Sequence, residues 1–319
     1  MKTKNNIGLG TAAIGRPLYI NVNQVRGTEK FSLSSFKQSG LQLLNAAYAS
    51  GVRHFDTAPG YGLAEQLLIE WLAVQNDRTI AVSTKWGYTY VANFDPHATE
   101  HEVKEHSLTK LNEQWEVSRN LLPHLKIYQI HSATFDSKVL KNQAVLERLH
   151  ELKKEHNLVI GLTTTGDNQV DVLEKAMQIS IKGEKLFQSY QCTFNILDQS
   201  VARYIDVLKD LKDNFIIKEA LANGRLIPNR NFANYTDLYK YMKQLSKKYD
   251  VGPDAVALAY CAALFPQATV LSGANNTNHL EANLKSNSID LTRDELDTLK
   301  TYSISAQVYW KERKNLEWN

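Results

Sequence analysis

Four residues of this chain have the types and the placement to pass a proton to a reacting oxygen. Asp56 lies in the strand-like run Arg53 to Thr57, Tyr61 follows one short turn later, and Lys85 and His131 stand at the ends of the runs Thr79 to Trp86 and Leu125 to Ser132. Hydride arriving at a carbonyl carbon leaves negative charge on the oxygen, so a site for that reaction must offer a proton and positive potential there. Tyrosine can give the proton, but its ordinary pKa is about 10. A cation nearby eases its ionisation and a carboxylate holds that cation, the parts that fall to Lys85 and Asp56. His131, as a neutral imidazole, would donate a hydrogen bond to the substrate oxygen. Singly, each residue has a bland reading: loop tyrosines are common, strand-end lysines are usually solvated, and a lone histidine is more often a hydrogen-bonded core residue. Their joint placement on three successive strand ends is what points to chemistry.

Such a set needs a scaffold that gathers strand ends. Eight β-rich runs alternate with amphipathic helical stretches: Ile7 to Gly10, Arg53 to Thr57, Thr79 to Trp86, Leu125 to Ser132, Leu158 to Thr163, Lys185 to Gln191, Asn214 to Glu219 and Thr269 to Gly273. Helical spacing between them is carried by Leu41, Leu44, Ala47 and Tyr48, by Leu140, Leu146, Leu149 and Leu152, and by Val201, Ile205, Leu208 and Leu211. The alternation predicts a single-domain α/β chain of 319 residues folded as a (β/α)8 TIM barrel, with its active site at the C-terminal ends of the strands. A doubly wound sheet is the rival, but Gly8-Leu9-Gly10-Thr11 lacks the third glycine of a dinucleotide-binding turn. Long connections at 12–32 and 87–101 would rise over the C-terminal face. Thr292 and Glu295 form a capping-box pattern before a helix, and the tail from about 303 to 319, with Tyr309, Trp310 and Trp318, would fold back over the pocket or pack against a helix.

Composition narrows the classes. With 43% hydrophobic and 22% charged residues the chain reads as globular, with no apolar run long enough to span a bilayer and no signal core after the basic start, so a cytoplasmic protein is expected. Cys192 and Cys261 have no metal-ligand spacing, so no metal site is expected. The net charge of +3 is spread along the chain, which argues against a nucleic-acid partner. Tyr19, Trp86, Tyr88 and Tyr90 offer aromatic walls for a small carbonyl or sugar substrate.

These residues resemble the aldo-keto reductase family from Ile7 to about Asn283. The likeness rests on Gly51-Val52-Arg53-His54-Phe55-Asp56-Thr57-Ala58 with Tyr61, Gly62 and Glu65, on Ser83-Thr84-Lys85, on Tyr128-Gln129-Ile130-His131, and on Leu221-Ala222-Asn223-Gly224. The resemblance implies a TIM barrel with NAD(P)(H) extended across its C-terminal face, Tyr61 as general acid and base, and Asp56, Lys85 and His131 in support. Carried over by position, Thr163, Thr164 and Gln188 would hold the carboxamide and Leu221 to Asn223 would face the pyrophosphate. Gly273, Ala274 and Asn275, with His279 and Asn283, would hold the adenosine end at a helix N-terminus. Three positions depart from the family's pattern. Thr163-Thr164-Thr165 replaces a Ser-Asn or Asn-Asn pair, Lys218 beside Glu219 replaces a stacking aromatic, and Gly273, Asn275 and His279 stand where a 2′-phosphate often meets Lys or Arg. Family tendency favours NADP(H), with NAD(H) second. The expected activity interconverts an aldehyde, ketone or sugar carbonyl or hemiacetal with the alcohol or lactone. Two other readings are a nucleotide-sensing regulatory or channel-type subunit with little turnover, and a metal-dependent lyase or hydrolase using Asp56 and His131, in which Lys85 would repel the cation. Oligomeric state stays open.

Overall fold

Residues 6–18, 21–22, 32–95 and 97–318 are described in the computed structural model of the chain. Their strands pair in parallel around a closed barrel, each next to its neighbour in sequence, with the first sealed against the last. They are β1 (Ile7–Gly10), β2 (His54–Asp56), β3 (Ala81–Trp86), β4 (Leu125–Ala133), β5 (Val159–Thr164), β6 (Ser189–Thr193), β7 (Phe215–Lys218) and β8 (Thr269–Ser272). The (β/α)8 expectation therefore holds.

Period-two alternation sorts each strand into two faces. The register aligns Asp56 with Ser83, Lys85 with Gln129, Gln129 with Gly161, Thr163 with Gln191 and Thr193 with Lys218, so these polar residues share the interior face. The intervening Phe55, Val82, Tyr128, Ile130, Leu162, Cys192 and Ile217 are buried in the apolar layer under the helices. That layer is the main hydrophobic core. The helix Leu33–Ala49 contributes Leu43, Leu44 and Ala47 to it, and Gln143–His156 contributes Leu146, Leu149 and Leu152. Fully burying one such leucine favours folding by about 1.5–3 kcal/mol. Both cysteines are free and buried in this layer. The capping box is formed, Thr292 and Glu295 closing the start of the helix Arg293–Lys300.

Two elements differ from the sequence reading. The sixth strand begins at Ser189, four residues after the expected Lys185, because Glu184–Lys185 pairs instead with Ser180–Ile181 in a small hairpin outside the barrel. The stretch 200–214 is not one helix but two 3-10 segments flanking the short helix Ile205–Leu208. The last connection carries a helix of its own, Ala306–Lys314, which buries Tyr309 and Trp310 against the loops that follow β6 and β7. Among the described residues no helix is long and apolar enough to cross a membrane, and no cluster of His, Cys, Asp and Glu is placed to hold a metal ion.

Candidate active site

Tyr61 ends a single 3-10 turn, Pro59–Tyr61, whose proline fits the first helical position. Gly15, which ends the short helix Ala12–Gly15 after β1, lies against this turn so closely that an added Cβ would stand 2.0 Å from the Tyr61 carbonyl oxygen. The Leu63 N–H donates to the Gly15 carbonyl at 2.8 Å, which ties the two loops together.

The four residues converge. Lys85, with no exposed surface, donates to Asp56 Oδ2 at 2.5 Å and to the Thr57 carbonyl at 3.0 Å, and its Nζ stands 4.8 Å from the Tyr61 ring centroid. Asp56 also accepts from the Ser83 hydroxyl at 2.6 Å and from the Gln191 amide at 2.8 Å across the barrel. The Tyr61 hydroxyl lies 3.4 Å from His131 Nε2. Burial, then the Asp56 charge, push the Tyr61 hydroxyl well above the ordinary tyrosine range, and Arg16 is the foremost cation opposing them. Burial, with Lys85 and Arg16 nearby, holds His131 well below its usual range, so it is neutral at pH 7. Its backbone is fixed from behind: His106 Nε2 lies 2.9 Å from the His131 carbonyl, and burial keeps this second imidazole at about 4. The His106 ring passes Gly87, at φ +109°, where any Cβ would meet it at 2.3 Å.

Across the mouth, at the ends of β6 and β7, the charges are bound by the tail. Glu219 sits at φ +56°, a left-handed conformation costly for a residue with a Cβ. It accepts from Arg313 Nε at 2.9 Å and from the Tyr309 hydroxyl at 3.3 Å. Burial alone would raise its carboxyl, but Arg313 and Lys218 prevail and hold it at about 2. Buried Arg225 donates to Glu312 at 3.0 Å and lies over the Tyr309 ring.

The nominated nucleotide residues divide. Thr163 faces the interior but its hydroxyl accepts the Ser132 N–H at 2.7 Å, and Thr164 faces outward to Gln169 at 3.1 Å. Gln188 precedes β6 and is exposed at its N-terminal end, away from the tetrad. Gln191 is the glutamine at the mouth, and its Oε1 has no hydrogen-bond partner among the described residues. Lys218 donates to the Thr193 hydroxyl at 2.9 Å. Half-buried Leu221 opens the turn in which Ala222 and Asn223 are left-handed, and the Asn223 carbonyl accepts the Val22 N–H at 3.1 Å. Gly273 opens on free space, with Ala274 buried beside it. Exposed Asn275 and His279 bond each other at 2.9 Å, and buried Asn283 donates to Ser272 at 2.8 Å. The open end of β8 and the unused Gln191 oxygen lie on the tetrad's side of the barrel and fit the two ends of a nicotinamide nucleotide, whereas Gln188 lies at the opposite end and Thr164 faces outward.

Of the substrate-wall residues, Tyr88 packs on His131 with ring centroids 4.7 Å apart. Trp86 is fully buried with its ring against His106, on the strand face opposite Lys85. Tyr19 lies outside the described residues. Sequence reasoning missed Gln191, Arg16 and the Glu219 network. Only Gln191 had a signal, the β-rich continuation Tyr190-Gln191-Cys192-Thr193.

Comparison with known proteins agrees with this geometry. The sequence profile of the Aldo/keto reductase family matches residues 6–304. The uncharacterized oxidoreductase YqkF of Bacillus subtilis is 22% identical over 310 residues, covering 89% of this chain and 94% of that protein. The aldo-keto reductase str7 of Strobilurus tenacellus is 23% identical, covering 95% and 90%. Among solved structures, the holo form of the aldo-keto reductase AKR11C1 from Bacillus halodurans superposes with a TM-score of 0.68 at 20% identity, over 94% of this chain and 93% of that one.

Proposed function

The chain belongs to the aldo/keto reductase family, and from that premise we propose that it is a nicotinamide-dependent oxidoreductase in which Tyr61 is the general acid and base. It interconverts a small aldehyde, ketone or sugar hemiacetal with the alcohol or lactone. The observation that carries this reading is the Tyr61 hydroxyl, 3.4 Å from a neutral imidazole and beside the buried Lys85–Asp56 pair. When bound, the nicotinamide supplies or takes the hydride. Tyr61 gives its hydroxyl proton to the substrate oxygen in reduction and recovers it in oxidation. His131 remains neutral and orients that oxygen, while Lys85, fixed by Asp56, keeps positive potential under the tyrosine ring. Tyr88, packed on His131, forms one wall for the substrate.

Gln191 is the residue for the carboxamide, in place of Gln188. The loop 219–225 faces the pyrophosphate, and Gly273 to Asn275 with His279 and Asn283 receive the adenosine. Family tendency favours NADP(H) over NAD(H), but the Asn275–His279 pair supplies hydrogen bonds without a fixed charge, so discrimination is small.

Tyr61→Phe should lower turnover roughly a hundredfold to ten-thousandfold while leaving nucleotide binding by calorimetry close to wild type. Unchanged turnover would remove Tyr61 from its role. One equivalent of nucleotide bound, with no steady-state turnover across a carbonyl and sugar panel, would favour the regulatory-subunit reading instead.

A further inference from the structure

Lys85 is the expected electrostatic partner of Tyr61, yet its ammonium is bound to Asp56 at 2.5 Å and to the Thr57 carbonyl, and it lies under the ring with no hydrogen bond to the hydroxyl. A second cation stands on the same tyrosine. The Arg16 guanidinium is 5.3 Å from the Tyr61 ring centroid, and the residue is 4% exposed. Its Nη1 donates to the Gly60 carbonyl at 3.1 Å, inside the tyrosine's own turn, and to Glu102 Oε2 at 2.7 Å. Behind it the Trp318 ring lies 4.6 Å away, stacked in turn on His101 at 4.3 Å.

We propose that Arg16 is a positioning residue that sets the acidity of Tyr61, with Glu102 as the counter-charge limiting its effect. The proposal rests on Tyr61 being the acid and base. The groups facing Tyr61 are Asp56 and Lys85 from β2 and β3, His131 from β4, Arg16 from the loop after β1, Glu102 from the hairpin that pairs Tyr88–Tyr90 with Glu102–Lys104 after β3, and Glu219 from the loop after β7. Burial and Asp56 raise the hydroxyl most, Arg16 lowers it, and Glu102 and Glu219 raise it further. Each cation near Tyr61 is thus half of an ion pair; Asp56, the partner of Lys85, raises the hydroxyl, and Arg16 lowers it more than its partner Glu102 raises it. Gly15 makes this arrangement attainable, because its missing Cβ lets the backbone beside Arg16 rest on the Tyr61 turn.

The two halves of the second pair must then act with opposite sign. Arg16→Gln should raise the tyrosine's pKa by on the order of one unit, and Glu102→Gln should lower it by a comparable or smaller amount. Two readouts apply. One is the alkaline ionised fraction of Tyr61, from tyrosinate absorbance of each protein minus its Tyr61→Phe counterpart at a common pH. The expected order is Glu102→Gln above wild type above Arg16→Gln. The other is the pH profile of kcat/KM for alcohol oxidation, whose rising limb should move up for Arg16→Gln and down for Glu102→Gln, with Arg16→Lys restoring it toward wild type and KM little changed. A purely structural role would lower activity in both variants with no opposed shift. Equal ionised fractions in all three proteins, or shifts in the same direction, would overturn the proposal. The absorbance readout needs no turnover, so a failure of the proposed activity would be seen separately, as wild-type protein inert toward every substrate.

Discussion

At the ends of β2 and β3 the two buried charges answer each other across adjacent strands, Lys85 donating to Asp56 at 2.5 Å. At the ends of β6 and β7 the answering residues come from the other end of the chain: Glu219 meets Arg313 at 2.8 Å and Arg225 meets Glu312 at 3.0 Å. The first half of the mouth is organised by the barrel itself. The second is organised only when the helix Ala306–Lys314 is seated. The proposed proton chemistry, which needs fixed geometry, falls in the first half. The loops expected to admit and release a nucleotide are in the second, where a removable partner is an advantage.

The largest test of this contrast is Asp56→Asn. It leaves the Lys85 ammonium buried without its carboxylate, and breaking such a pair costs about 3–5 kcal/mol, measurable by urea unfolding. A loss below about 1 kcal/mol would mean that the catalytic half is not self-supporting. Next is the acid response of the nucleotide half. Glu219, held at about 2 against an ordinary value of 4.5, has a depressed folded-state pKa, so its contribution is full above the unfolded value and is lost as pH falls toward 2. The difference in unfolding free energy between wild type and Glu219→Gln should be about 3 kcal/mol near neutrality and shrink between pH 5 and roughly 2; a difference constant with pH would contradict the network. Smaller is the effect of Gln191→Leu, expected to weaken nucleotide binding about tenfold, equivalent to about 1.4 kcal/mol, whereas Gln188→Leu should leave it unchanged. Smallest is the ratio of NADPH to NADH affinity, which calorimetry should place below about tenfold; a larger ratio would show that Asn275 and His279 discriminate by more than hydrogen bonding.

The same contrast governs how much could be read from the chain alone. Asp56, Tyr61, Lys85 and His131 were legible because strand ends and a short turn place them, and each of those signals is local. Trp86 adjoins Lys85 in sequence, and for that reason alternation turns it to the opposite face, under the helices. Gln188 and Gln191 sit in one β-rich run that reads equally well in two registers. Only the pairing of Gln191 with Thr163 and of Thr193 with Lys218 selects one of them. Between 201 and 211 the apolar steps of four, three and three suit 3-10 turns as well as a helix, and the chain takes the tighter form on either side of the short helix Ile205–Leu208. Arg16 left no trace in the sequence, since its place on Tyr61 depends on the contact between Gly15 and a turn some forty-five residues later.

The tail helix also bears on the order in which a nascent chain can acquire structure. By the time residue 133 has been made, every member of the proposed proton-transfer set exists, whereas β1 cannot meet β8 until residue 272, and the Arg313 and Glu312 partners of Glu219 and Arg225 come later still. Domains begin to fold during synthesis, so the loop after β7 spends translation without its tail partners, on an open sheet. Its last stitch waits for residues 312 and 313. A ribosome stalled shortly before them would present a nearly complete barrel whose β6–β7 side is open and charged, and that is the species a chaperone would meet.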